Sequence, residues 1–363
     1  MPMHPLAGHV TERTRVAQAI ASGRLPQLLL VTGPEGVGKQ RFALWIAQAL
    51  LCEAAGGEPC GTCRACRLVA DLTHPDLHWM VPVPRPKATE PDRQVDELAE
   101  ALGAVIEERR KQPLYQAPDG MAGHFVATAR LLQRRAALTP VMGPRKVFIV
   151  ARAERLVPQE SSPEAANALL KLFEEPPADC QFVLTAGNPN GLLPTIRSRA
   201  VPLRLGRLGD EEVRAFLTAH AGLSGAELDR RVREARGSIG RALALGGERD
   251  AAGAAVEELL AAVRGGPSAR AERALRQGTW QARGEFTATL DGLAEALSEA
   301  ARQASGAEPR RPLPRALAGL GSVEALVQAG ERVARAREAA QGNVNPQLIL
   351  AVLEEELAEV LWR

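Results

Sequence analysis

Apolar residues in this chain follow two periods that alternate and then give way to one. Short continuous runs at Gln27–Val31, Val147–Val150 (opened by Lys146) and Gln181–Thr185 read as buried strands. Between them the spacing is helical. Residues 10–23 carry Val10, Val16 and Ile20, Lys39–Leu51 is rich in Ala and Leu, and 94–111 places Val95, Leu98, Leu102 and Ile106 on one face. A further helix is predicted around 162–174. Strands alternating with helices predict an α/β unit whose parallel sheet is covered on both faces. Gly206 and Gly209 mark a boundary, after which 210–246 reads as a small helical unit with a capping box at Ser224 and Glu227. From about 251 the pattern is wholly helical. Phe286, Leu290, Leu293 and Leu297 form one stripe, and Leu350, Leu353, Leu357 and Val360 another, as in an all-α bundle. Three domains are expected: 1–207, 208–248 and 249–363. Around the helix at 94–111, the stretch 81–137 is harder to read, because Pro82, Pro84 and Pro86 interrupt regular structure.

Composition narrows the function classes. Among 363 residues, 45 are basic and 43 acidic, a net charge of +2, which does not suggest strong nucleic-acid binding by the chain alone. Aromatics are 3%, too few for base stacking to dominate any contact with single strands. No apolar run approaches the roughly 20 residues that span a bilayer, and the N-terminus lacks a signal-peptide pattern. A cytoplasmic protein without a membrane partner is expected.

The strand at 27–31 runs into Gly33-Pro34-Glu35-Gly36-Val37-Gly38-Lys39-Gln40, followed by a helix. This is the setting of a phosphate-binding loop, whose pattern is G-x-x-x-x-G-K-[ST]. Gly33, Gly36, Gly38 and Lys39 suit a loop whose backbone amides and lysine surround phosphates. A glycine-rich turn without ligand is the alternative. Gln40 stands where a hydroxyl normally holds magnesium. The second strand, which normally ends in an acidic magnesium ligand, is followed by Ala151 and Arg152, and Glu154 should point elsewhere. Three altered positions predict no magnesium site and no hydrolysis. Lys39 and the loop backbone leave room for weak ATP or ADP binding.

Cys52, Cys60, Cys63 and Cys66 give C-x7-C-x2-C-x2-C, suited to one tetrahedral, structural Zn2+. His74 and His78 read as packing residues and Cys180 as a small buried one. After the third strand, Pro194-Thr-Ile-Arg-Ser-Arg-Ala200 displays arginines. Such a group can reach a neighbouring subunit's phosphate, although most loop arginines are simply solvated. Arg241, in Gly237-Ser-Ile-Gly-Arg241, is open to the same two readings.

Taken together, Leu28–Lys39, the four cysteines, His74-Pro75-Asp76, Ala166–Lys171 with Glu174-Glu-Pro-Pro177, Leu193–Arg199 and Asn345-Pro-Gln347 resemble the bacterial clamp-loader family of AAA+ proteins. The resemblance covers 6–80 and 138–246 well, and the C-terminal part chiefly through its helical pattern. It implies an AAA+ P-loop domain carrying a zinc module at 52–66, a helical lid and a C-terminal collar for oligomerisation. It further implies a DNA polymerase III loader subunit whose partners are the tau/gamma motor subunits and the delta subunit. Through that assembly it meets the sliding clamp and primer–template DNA. Arg199 matches the family's arginine finger, acting in trans on a neighbour. Thr185 lies on the strand bearing the sensor-1 position, and Arg241 resembles the sensor-2 arginine. The implied role is a stator without ATPase activity of its own; the alternative is an ATP-hydrolysing motor subunit. Ala200 replaces the cysteine of the family's Ser-Arg-Cys motif, and 81–137 is longer than usual.

Overall fold

A computed structural model describes the chain except residues 1–2, 55, 113–121, 157–162, 246–247, 278–282, 309–312, 342–343 and 363. It divides into two compact units, one extending to Leu243 and the other beginning at Ala244.

The first unit is built on five parallel strands: β1 (Leu28–Thr32), β2 (Leu77–Met80), β3 (Lys146–Val150), β4 (Cys180–Ala186) and β5 (Val201–Arg204), in the order β2-β3-β4-β1-β5. β1, β3 and β4 are almost wholly buried, as continuous apolar runs in a sheet covered on both faces should be. The two edge strands were not anticipated. β2 is four residues long and β5 carries Pro202, which lacks a ladder donor and suits an edge.

Helices α1 (Val10–Ala21), α2 (Lys39–Leu51), α3 (Arg64–Ala70), α4 (Pro91–Lys111), α5 (Val126–Ala136), α6 (Glu164–Glu174) and the single turn α7 (Pro194–Arg197) accompany the sheet. α2 is the central one: every residue from Phe42 to Leu51 is buried. α4 opens with Pro91 at its first position and closes on Arg109, Arg110 and Lys111, which complement the helix dipole. Its buried face is Val95, Leu98, Leu102 and Val105, with Ile106 rotated to half-burial.

α8 (Asp210–Ala221), α9 (Gly225–Ala235) and α10 (Ile239–Ala244) follow, with a small core of Leu208, Val213, Phe216, Leu217, Leu228 and Val232. Here one expectation is corrected. Ser224 is the N-cap of α9, but its side chain makes no cap hydrogen bond. Glu227 instead accepts from Arg230 and Arg231, whose hydrogen bonds hold its pKa down to about 2. Two guanidinium donors outcompete one backbone amide for the same carboxylate.

The second unit packs α11 (Glu248–Arg264), α12 (Pro267–Arg276), α13 (Arg283–Ala304), α14 (Val323–Gln341) and α15 (Pro346–Leu361). Both leucine-rich stripes are in its core, with Val360 at its margin. Glu354 is fully buried beside Arg273, 3.9 Å away, and burial pushes its carboxyl up to about 7. Among the described residues no helix is long and apolar enough to cross a membrane.

Candidate nucleotide site and four-cysteine cluster

All five strands end at one edge of the sheet, and the loop after β1 lies there between its neighbours β4 and β5. Ligands of open α/β sheets bind outside these carboxyl ends. Gly36 and Gly38 adopt φ of 73° and 101°, a left-handed geometry that curves the loop before α2 begins at Lys39. The Lys39 ammonium donates to the carbonyl oxygens of Gly33 and Pro34 at 2.9 and 2.8 Å. Burial lowers its pKa, with Glu154 and Glu35 opposing that shift.

The metal side of the loop is occupied by protein groups. Gln40 Oε1 accepts from Arg109 Nη1 at 2.7 Å, and that guanidinium lies over the Trp79 ring at 4.6 Å from its centroid. Arg109 is buried, which drops its pKa to about 10, so it stays charged at neutral pH. After β3, Ala151 is buried and Arg152 turns into the left-handed region at φ 50°. The Ala151 carbonyl accepts from His124 Nε2 at 2.8 Å, and burial pushes that imidazole down to about 4. The Arg152 amide donates to Thr185 Oγ1 at 3.2 Å, and its side chain reaches Glu35 at 3.5 Å. Glu154 accepts from the Gly187 amide at 3.1 Å, yet stays close enough to act on Lys39.

Sequence reasoning did not bring Arg109 and His124 here. Both lie in 81–137, Arg109 at the end of the helix expected over 94–111. The available signal was an arginine three residues after Ile106, in register with that helix's apolar face.

The turn before α10 closes over the loop. Ser238 Oγ donates to the Glu35 carbonyl at 3.1 Å, and the Gly240 amide to the Gly36 carbonyl at 2.9 Å. Arg241 is the next residue, its amide donating to Ser238 Oγ at 3.2 Å. Arg199 is exposed, follows α7, donates to the Thr195 carbonyl at 2.7 Å and pairs with Glu174.

The four cysteine sulfurs lie within 4.8 Å of one another. Cys52–Cys63 is 3.9 Å and Cys60–Cys66 4.0 Å. A tetrahedron of Zn–S bonds of about 2.3 Å has edges of about 3.8 Å. Backbone amides of Ala54 and Cys60 donate to Cys52, that of Cys63 to Cys60, and that of Cys66 to Cys63, all at 3.3–3.4 Å. Amide donors favour thiolates, and those of Cys63 and Thr62 bring Cys60 down to about 6. Cys66 is buried, which raises its pKa, so its ionisation calls for a cation. This donor set can bind zinc. Cys66 also ties the cluster to α2, its carbonyl accepting from Gln48 at 3.0 Å. His74 and His78 lie outside the cluster: His74 Nδ1 accepts from the Asp76 amide, and His78 packs on Phe148.

A family model described as DNA polymerase III, delta subunit, matches residues 10–209. The chain belongs to this family. The DNA polymerase III subunit delta' of Pseudomonas aeruginosa is 33% identical over 173 residues, 47% of this chain and 40% of that protein. The delta' subunit of Escherichia coli K12 is 29% identical over 232 residues, 64% of this chain and 58% of that protein. The gamma/tau subunit of Mycobacterium bovis is 30% identical over 212 residues, 58% of this chain and 29% of that protein. The chain thus spans about half the length of the delta' relatives it matches. A gamma subunit-related protein from Thermotoga maritima superimposes with a TM-score of 0.40 at 16% identity, covering 95% of this chain and 99% of that one. That score adds nothing to the sheet order described above.

Proposed function

We propose that this family member is a stator-like subunit of a bacterial DNA polymerase III clamp loader. It completes a neighbour's ATPase site with Arg199 and runs no hydrolysis itself. The observation that carries this reading is the Gln40–Arg109 hydrogen bond, which sets a buried guanidinium against the position where a motor subunit holds magnesium. Ala151 and Arg152, in place of an acidic pair after β3, support it.

In this reading residues 1–207 are the AAA+ domain, 208–248 the lid and 249–363 a collar. Thr185 and Arg241 stand at the sensor positions of a degenerate nucleotide site formed by Gly33, Gly36, Gly38, Lys39 and Gln40. Zinc on the four cysteines is structural. The partners are tau/gamma and delta subunits, with the clamp and primer–template DNA reached through the assembly in the cytoplasm.

The test is reconstitution with motor and delta subunits. Clamp loading should need this chain, and Arg199→Ala should lower ATP turnover of the complex at least tenfold at the affected site while leaving assembly intact. Normal turnover in that complex would remove the finger role. The 30% identity to a gamma/tau subunit favours a second reading, an ATP-hydrolysing motor. DNA-stimulated hydrolysis by the chain alone, abolished by Lys39→Ala, would select it.

A further inference from the structure

The carboxyl edge of the sheet collects cations from three separate stretches of chain: Lys39 from the loop after β1, Arg152 from the turn after β3, and Arg109 from the end of α4. All three reach the loop: Lys39 donates to the Gly33 carbonyl at 2.9 Å, Arg109 donates to Gln40 at 2.7 Å and Arg152 reaches Glu35 at 3.5 Å, and Arg152 disfavours the charged forms of the other two. Two carboxylates oppose them: Glu35, whose side chain is 79% exposed, and Glu154, engaged by the Gly187 amide.

Arg109 holds the residue that replaces the metal-binding hydroxyl, and Arg152 follows the residue that replaces the first carboxylate. In an ATP-hydrolysing loop, a divalent ion at this side contributes two positive charges between the phosphates. Here two guanidinium groups supply the same charge covalently. Neither Gln40, already hydrogen-bonded to Arg109, nor Ala151 offers an anionic ligand to a divalent ion. The loop geometry still suits an anion. Gly36 and Gly38 take the left-handed φ values of a turn that can present backbone amides to phosphate, and the Lys39 ammonium sits against the loop's own Gly33 and Pro34 carbonyls.

We propose that Arg109 and Arg152 take the place of the divalent ion, so that Gly33–Gln40 accepts a nucleoside di- or triphosphate in its metal-free form. The inference rests on the reading of this segment as a phosphate loop. It does not depend on Arg199 or on a place in any assembly.

The experiment is calorimetric titration of the purified full chain with ADP and with ATP, in excess EDTA and in excess magnesium. Binding in EDTA should be at least as tight as in magnesium. Arg109→Gln and Arg152→Gln should each weaken the EDTA value by about tenfold or more, the loss of one charge-assisted contact. Arg109 is buried, so its variant is first checked by thermal melting. Arg152 is partly exposed and provides the test if the Arg109 variant does not fold. A strict requirement for magnesium, no binding of either nucleotide at millimolar concentration, or unchanged affinity in the folded variants would each overturn the proposal. All three outcomes leave the stator reading standing, because a finger donor needs no nucleotide of its own.

Discussion

Gly36 of the phosphate loop and Gly240 at the head of α10 meet backbone to backbone, the Gly240 amide donating to the Gly36 carbonyl at 2.9 Å. A Cβ on Gly36 would lie 2.2 Å from Ser238 Oγ, and one on Gly240 2.9 Å from the Gly36 Cα. Gly36 also sits at φ 73°. Gly36→Ala is therefore expected to destabilise the first unit by about 1–3 kcal/mol, through clash and backbone strain together. Urea unfolding of the full chain measures it. A loss within error of zero would mean that the turn before α10 does not pack on the loop.

Asp76 lies at the opposite edge of the sheet, at the head of β2. Its carboxylate accepts from three consecutive amides, Val141, Met142 and Gly143, at 2.6–2.9 Å. Burial works to raise its pKa, but the three amide bonds prevail and the net shift is downward. A depressed folded pKa stabilises above the ordinary carboxylate value of about 3.9, and that contribution is lost as pH falls below it. Asp76→Asn should cost about 1–3 kcal/mol at pH 7. The variant should also show a shallower loss of stability as pH falls below about 4, where the unfolded carboxylate takes up its proton before the folded one does. Parallel unfolding curves of the two proteins would contradict this.

The four thiols predict about one zinc per chain by elemental analysis. Cys60→Ser and Cys63→Ser should each bring this below about half. Acidification should release the metal, because protons compete for the thiolates. A metal content unchanged by either substitution would rule the cluster out as the binding site.

Glu354 predicts the opposite pH response to Asp76. Its carboxyl is raised by burial to about 7, with Arg273 and Arg270 limiting the shift. The folded state therefore holds a proton that the unfolded chain releases near pH 4.5. Stability should fall as pH rises from about 4.5 to about 7, by something on the order of 3 kcal/mol, and level off above. Glu354→Gln should remove that slope and be the more stable protein at pH 8. Urea midpoints at pH 5, 6 and 8 decide it.

The sequence exposed those features whose causes are local. α2 begins at Lys39 and ends at Leu51 as expected, because glycines set its start and an Ala/Leu run carries it. The three central strands announced themselves as unbroken apolar runs, and the cysteines of the cluster as a spacing. The two leucine-rich stripes of the second unit were legible for the same reason. Features that depend on distant pairing were not. β2 and β5 are four-residue edges whose pairing lies in other segments. Gln40 was visible as an anomaly, but its partner Arg109 is 69 residues away on a helix of no evident purpose. Glu227 is a local exception: it looked like a capping residue, but Arg230 and Arg231, three and four residues on, compete for the same carboxylate. The Gly36–Gly240 contact joins segments that the pattern assigned to different units, and no periodicity encodes it.

Pro202 gives the outermost strand β5 a consequence for how this chain meets others. A rim with a full row of free amide donors invites a foreign strand to zip on. This rim lacks one of those donors, and residues 201, 202 and 204 are exposed along it. Neighbouring polypeptides are thereby steered away from merging into a shared sheet and toward contacts made by side chains, which come apart without unravelling the fold.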